Sequence, residues 1–215
     1  VRPLLLDLDG TLVDSRTDLA TATNLLLLEL GLPPLPVDVV AACVGRGARA
    51  LVRRALDRAD PQRRVARDDP RLRRFLPLYE SVMLQTTAPF PGVRRGLQAL
   101  KSAGVPMAVV TNKPLEPARI LIQRLELDGF FPVVLGGDSL PTKKPDPAML
   151  REAATQLGVD LADCLMVGDS DVDIAAAKAA GIAGLWVSWG GFHPDQPASA
   201  AFRADHFSEV VELAL

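Results

Sequence analysis

Cysteine is nearly absent from this chain. Cys43 and Cys164 are the only two in 215 residues, too few for a disulfide framework, so a reducing, cytoplasmic protein is expected. Long apolar runs are missing as well. Nowhere do about 18 apolar residues follow one another, which excludes a membrane-spanning helix from the sequence. The opening segment, Val1-Arg2-Pro3-Leu4-Leu5-Leu6-Asp7, meets an acid after three leucines and is not expected to act as a secretory signal. An excess of positive charge is also lacking. The formal net charge is −2 and the pI about 5.7, so neither nucleic acid nor a membrane is expected as a partner. The two histidines, His193 and His206, have no companions at metal-ligand spacing. Internal repeats and low-complexity tails are absent.

What is present is ordinary for a folded, soluble protein: 48% hydrophobic and 23% charged residues. The length suits one full α/β domain carrying a smaller insert. Lysine is scarce beside arginine, five against nineteen, and three of the five (Lys113, Lys143, Lys144) fall in two short segments. A compact ammonium suits a single phosphoryl oxygen where a guanidinium fork does not.

The pattern along the chain changes three times. Leu4–Leu8 reads as a buried parallel strand ending in acid. From Arg16 to Leu30, apolar residues at Leu19, Ala22, Leu26 and Leu30 predict a helix, closed by Gly31 and the prolines beyond it. Residues 37–87 read as all-helical, with helices over 37–44, 48–59 and 71–85. Ala88-Pro89-Phe90-Pro91-Gly92 reads as a hinge. Thereafter helix and strand alternate: helices over 93–103, 115–127, 147–157, 172–180 and 208–213, strands over 105–110, 133–135, 164–167 and 184–187. Such alternation predicts an α/β fold, a doubly wound parallel sheet with helices on both faces and an inserted all-helical cap domain. The expected boundaries are 1–15 and 88–215 for the α/β core domain, and 16–87 for the helical cap domain.

In sheets of this kind ligands bind beyond the carboxyl ends of the strands. Asp7 and Asp9 follow the first strand. Thr111, Asn112 and Lys113 follow the second, Gly136, Gly137 and Asp138 the third, and Gly168, Asp169, Ser170, Asp171 and Asp173 the fourth. Carboxylates, a hydroxyl and an ammonium are thereby expected on one edge.

These segments resemble the four motifs of the haloacid dehalogenase superfamily. Asp7-Leu8-Asp9-Gly10-Thr11 is similar to the first, Thr111-Asn112 to the second, Lys144-Pro145-Asp146-Pro147 to the third, and Gly168-Asp169-Ser170-Asp171-Val172-Asp173 to the fourth. The order agrees, and the likeness spans nearly the whole chain. It implies a Rossmann-like core, a magnesium-dependent phosphatase, and a small anionic phosphorylated metabolite as substrate. The pattern around Thr111-Asn112-Lys113-Pro114, Gly136-Gly137-Asp138, Val44-Gly45-Arg46-Gly47 and Ala176–Gly181 is similar to the phosphoglycolate phosphatases, which implies 2-phosphoglycolate as substrate. Leu6 stands where an aromatic often precedes the first acid.

The chemistry needs these residue types. A phosphate monoester is dianionic and repels nucleophiles, so catalysis must neutralise charge and align the attacking group. Asp7 is expected as nucleophile, forming an aspartyl-phosphate. Asp9 is expected to protonate the leaving alkoxide and later activate water, since Asp7 cannot serve as nucleophile and acid in the same step. Three acids in one place call for a hard divalent cation, and Mg2+ with its oxygen ligands fits. The resemblance implies ligation by the side chains of Asp7 and Asp169 and the backbone carbonyl of Asp9. Asp173 is expected to support the metal's water shell or orient Lys144. Thr111 and Lys144 are expected to hold the phosphoryl oxygens, with Asn112 and Lys113 as further phosphate or substrate ligands; the family register selects Lys144 over Lys143. In the helical insert, Arg46 or Arg49 is a candidate for the substrate's non-phosphate part. Asp171 reads as a helix N-terminal acid. The arginine-rich stretch Arg53–Arg74 reads as a solvated face, and Trp186 and Trp189 as packing or rim residues. The rival functions are a phosphatase for a sugar phosphate or pyrophosphate, a phosphosugar mutase, and a non-catalytic binding protein. A dehalogenase has no need of Asp9.

Overall fold

The computed structural model describes residues 1–62, 71–192 and 196–215, the side chains of residues 71 and 72 excepted. Asp68, Asp69 and His193, with part of the arginine-rich stretch, lie outside the described residues. The chain divides into two compact units: Val1–Asp14 with Pro89–Leu215, and Ser15–Ala88.

The first unit is built on a six-stranded sheet. Its strands are β1 (Leu4–Leu6), β4 (Met107–Val110), β5 (Val133–Leu135), β6 (Leu165–Gly168), β7 (Ala183–Val187) and β8 (Phe202–Ala204). Every pairing is parallel; Leu5 lies opposite Ala108 on one side and Met166 on the other. β1, β4 and β6 are buried along their whole length, as expected of central strands covered on both faces. Helices α5 (Val93–Ser102), α6 (Leu115–Arg124), α7 (Ala148–Leu157), α8 (Asp171–Ala180) and α9 (Phe207–Ala214) supply that cover. One core cluster joins Leu5, Val110 and Met166 of the sheet to Met149 and Leu150 of α7 and Ala176 and Ala177 of α8. α5 and α9 pack together so closely that a Cβ at Gly96 would overlap the Phe207 ring.

The strand order fixes where chemistry can occur. From β1 the chain builds outward through β4 to β5, then returns to β6 on the other side and continues to β8. The reversal opens a crevice at the carboxyl ends of β1, β4 and β6.

The second unit is helical: α1 (Arg16–Glu29), α2 (Val37–Ala41), α3 (Ala48–Ala59) and α4 (Arg71–Val82). α1 contacts all three others. Its apolar face (Leu19, Ala22, Leu26) is buried, as are Leu51, Val52 and Leu56 of α3. Two-residue strands β2 (Val13–Asp14) and β3 (Ala88–Pro89) pair where the chain leaves and rejoins the sheet.

Asp18, in the first turn of α1, fastens the end of the helical unit. Its carboxylate accepts from both the backbone N–H and the hydroxyl of Thr86 (3.0 and 2.6 Å) and of Thr87 (2.9 and 2.6 Å). Burial works to raise the Asp18 pKa, but the threonine donors outweigh it and hold the group below the ordinary carboxylate range. Asp18→Ala is expected to cost about 2–3 kcal/mol at pH 7, because charge-assisted bonds are lost and donors are left without a partner. A depressed folded pKa contributes stability above the unfolded value, near pH ~3.9, and loses it as pH falls through the folded value. Denaturant titrations at pH 7 and pH 3 should therefore show the deficit narrowing only in acid.

Some element boundaries differ from the sequence expectation for local reasons. β4 starts at Met107 and not at 105, because the Val105 N–H closes α5 on Leu100 O and Pro106 has no N–H to give. α6 stops at Arg124 and not at 127, because Glu126 turns left-handed (φ 53°) and a 3₁₀ turn over Asp128–Phe130 follows. β8 and the short β2 and β3 were not expected.

Candidate active site

Each strand end of the crevice delivers its polar residue. Asp7 follows β1, Thr111 follows β4, and Asp169 follows β6. Lys144 arrives on the loop between β5 and α7, through a cis Lys144–Pro145 peptide. Asp173 projects from the first turn of α8.

Lys144 is the hub. Its ammonium, 1% exposed, lies 3.0 Å from Asp7 Oδ1 and 2.6 Å from Asp173 Oδ1, and donates to the Val110 carbonyl at 2.6 Å. Asp173 is held from its other side by the Ser170 N–H and hydroxyl, both donating to Oδ2. Both oxygens of Asp173 are thus engaged by protein donors. Asn112 Nδ2 donates to the Lys144 carbonyl (2.8 Å), which fixes the backbone beneath the ammonium. Lys143 is half-buried.

Asp9 lies beside this group and takes a different lysine. Lys113 Nζ is 3.1 and 3.0 Å from its two carboxylate oxygens. Thr111 is buried, and its Oγ1 accepts from the Lys113 N–H at 3.2 Å. The structure therefore brings together Asp7, Asp9, Thr111, Asn112, Lys113, Lys144, Asp169 and Asp173 within one unit. Arg46 and Arg49 belong to the helical unit, exposed at the start of α3. Asp171 is exposed at the start of α8.

The indole N–H groups of the two tryptophans reach the same loops. Trp186 donates to the Asp169 carbonyl (2.9 Å) and Trp189 to the Thr11 carbonyl (3.1 Å). In the sequence the two tryptophans stand only near a strand end; a buried indole in need of an acceptor is the one signal there.

The electrostatics call for a further positive charge. Oxygens of Asp7, Asp169 and Asp173 lie within 4.8 Å of one another. Burial pushes Asp7 up to about 6, with Lys144 opposing and Asp173 adding to the rise. Burial, then Asp173 and Asp7, push Asp169 well above the ordinary carboxylate range. For Lys144, burial works to lower the pKa, but the Asp173 and Asp7 carboxylates outweigh it and keep the ammonium charged. Asp169 Oδ2 is buried and meets no hydrogen-bond donor among the described residues. Gly10, with φ 86°, leaves space beside it, since a Cβ there would overlap Asp169 Oδ2. A donorless carboxylate oxygen among crowded acids, all with hard oxygen atoms, fits a bound metal cation.

A crevice of paired acids and an ammonium at the switch point of a doubly wound sheet, with a helical insert after the first strand, defines a hydrolase that works through a carboxylate cluster. The chain matches the model of the haloacid dehalogenase-like hydrolases over residues 4–187, and it belongs to that family. It is 44% identical to a phosphoglycolate phosphatase of Neisseria meningitidis over 88% of this chain and 81% of that one. It is 43% identical to a plasmid-borne phosphoglycolate phosphatase of Cupriavidus necator over 97% of this chain and 89% of the other. Among solved structures, that of a predicted phosphoglycolate phosphatase from Haemophilus somnus superposes with a TM-score of 0.91 at 32% identity, covering 100% and 98% of the two chains. Among the described residues no helix is long and apolar enough to cross a membrane.

Proposed function

We propose that this hydrolase converts 2-phosphoglycolate to glycolate and inorganic phosphate with Mg2+ as its cation. The observation that carries the reaction type is the Lys144 ammonium set between Asp7 and Asp173, with Asp9 alongside. The substrate is supported by the relatives at 40–44% identity, each named phosphoglycolate phosphatase. Two free, buried cysteines suit a reducing cytoplasm.

The chain's own groups divide the work as follows. Asp7 attacks phosphorus, and the ester bond breaks toward the glycolate oxygen. Asp9 gives that oxygen a proton, then takes one from the water that hydrolyses the aspartyl-phosphate on Asp7. Lys144 offsets charge on the phosphoryl oxygens, and the Thr111 hydroxyl hydrogen-bonds to one of them. Asp173 keeps Lys144 in place, and Asn112 fixes its backbone. The carboxylates of Asp7 and Asp169, with the carbonyl of Asp9, would hold Mg2+, which neutralises phosphoryl charge when bound. The part of Arg46 in substrate selection stays as the sequence implies it.

The test is phosphate release from 2-phosphoglycolate, hexose phosphates, nucleotides and pyrophosphate, with Mg2+ and with chelator. The expected kcat/KM for 2-phosphoglycolate exceeds the others by about tenfold or more and vanishes in chelator. A better substrate elsewhere in the panel would overturn the substrate and keep the chemistry. Undiminished release in chelator would remove the cation.

A further inference from the structure

We propose that Lys113 is a positioning residue that acts through Asp9 and is not a ligand of the phosphate; the proposal rests on the phosphatase reading above. The two buried ammonium groups, Lys144 and Lys113, divide the carboxylates between them. Lys144 is committed to Asp7, Asp173 and the Val110 carbonyl. Lys113 instead meets both oxygens of Asp9, at 3.0 and 3.1 Å. The pair is no surface ion pair, since the two side chains are 5% and 10% exposed, so water screens it little.

Both ends of the pair are anchored independently. The Lys113 N–H donates to Thr111 Oγ1, and its carbonyl accepts from the Gly137 N–H at 2.7 Å. Asp9 leaves β1 into a turn closed by the Gly10 N–H on the Val13 carbonyl at 2.9 Å. β1 and β4 are neighbours in the sheet, so the stems of Asp9 and Lys113 rise side by side from paired strands. An ammonium that touches both oxygens from a fixed stem sets the direction in which the carboxylate points more firmly than a bond to one oxygen does.

The consequence falls on hydrolysis of the aspartyl-phosphate. In that step the water oxygen bonds to phosphorus, and the bond from phosphorus to the Asp7 oxygen breaks. Its electron pair returns to the Asp7 carboxylate, and the water proton passes to Asp9. Phosphate leaves, and Asp9 regains the proton it gave to glycolate. Lys113 stays an ammonium throughout and contributes only aim. A misdirected base of this kind slows turnover without weakening substrate binding.

The experiment is a double-mutant cycle of Lys113→Met and Asp9→Asn, with Lys113→Arg as the conservative variant, each with Mg2+. Rates with 2-phosphoglycolate are read alongside the burst of p-nitrophenolate from p-nitrophenyl phosphate. Lys113→Met is expected to lower kcat by about 10- to 100-fold with KM changed less than about threefold, and Lys113→Arg to recover part of the loss. In the Asp9→Asn background, Lys113→Met should change the slow p-nitrophenolate release that follows the burst, which reads hydrolysis of the aspartyl-phosphate, by less than about twofold, because its target is already gone. A rise in KM with kcat retained would assign Lys113 to the substrate and overturn the proposal. So would the same loss in both backgrounds. Should Lys113→Met unfold, as a melting curve would show, the Lys113→Arg and Lys113→Gln variants run in the same cycle decide the matter alike. A wild-type enzyme that releases no phosphate, or an undiminished Asp9→Asn, locates the failure in the phosphatase reading, and this proposal falls with it.

Discussion

Asp7→Asn is expected to lower kcat by roughly 10⁴-fold or more while leaving the fold as stable as before, or more so. An amide cannot form the acyl-phosphate, so the loss should reach the limit of detection. The stability half follows from the site's charge. Burial raises the Asp7 pKa to about 6 in the folded, metal-free protein. A carboxylate whose folded pKa lies above its unfolded value, near ~3.9, opposes folding wherever it is ionised, and the penalty disappears as pH falls below the unfolded value. An isosteric neutral amide removes the penalty. Lys144 keeps Asp173 and the Val110 carbonyl as partners. Melting curves in chelator should therefore show Asp7→Asn matching or exceeding the parent at pH 7, with the advantage shrinking toward pH 4. Wild-type-like turnover in that variant would end the nucleophile assignment.

Lys144→Met should have the opposite profile, losing stability and activity together. The substitution leaves the carboxylates of Asp7 and Asp173 buried and facing the gap where their shared cation stood. Removing one partner of a buried ion pair costs about 3–5 kcal/mol, mostly for the uncompensated charge left behind. The raised pKa of Lys144 means its contribution is fully present through neutral pH and is lost only as pH rises past its folded value, above ~10.4. The deficit should be largest near pH 7 and shrink toward lower pH, where Asp7, whose pKa burial raises to about 6, takes up a proton and stops repelling its neighbour. Lys144→Arg is not expected to rescue it, because a planar guanidinium cannot replace a point charge aimed at two carboxylates and a carbonyl. Urea titrations at pH 5 and pH 7 would measure both statements. A variant as stable as the parent at pH 7 would mean that the cluster is not charged as described.

These two outcomes depend on residues whose chemistry was legible in the sequence, and the reason is physical. Polar residues just after apolar strands must end up at the carboxyl edge of a parallel sheet, so Asp7, Asp9, Thr111 and Asp169 could be placed without coordinates, whereas Lys144, well past the end of β5, is selected only by the family's motif. Strand β5 and helix α3 were readable to the residue, because Val133, Val134 and Leu135 lie between Pro132 and Gly136, and an alanine- and leucine-rich run lies between Gly47 and Asp60. The weaker elements were not readable. Strand β8 is Phe202-Arg203-Ala204, three residues of mixed polarity, and its parallel pairing with β7 alone makes it a strand.

Partnerships were less legible than positions. Lys113 reads as a phosphate ligand from its motif, whereas the structure pairs it with Asp9, 104 residues away. Asn112 reads the same way, yet its amide supports the Lys144 backbone. Nothing in local sequence records a hydrogen bond from Trp186 to the Asp169 carbonyl, or the grip of Asp18 on Thr86 and Thr87. Such contacts depend on the distance between loops, which periodicity and composition do not encode.

In the proposed reaction, Asp7 carries the phosphoryl group between substrate and water. Rapid quenching of a single turnover of 2-phosphoglycolate with Mg2+, reduction of any acyl-phosphate with borohydride, and peptide mass mapping would locate it. Conversion of Asp7 to homoserine, absent from the Asp7→Asn variant, is the predicted result. Phosphate released at the same rate with Asp7 never modified, or with the label on another residue, would contradict it.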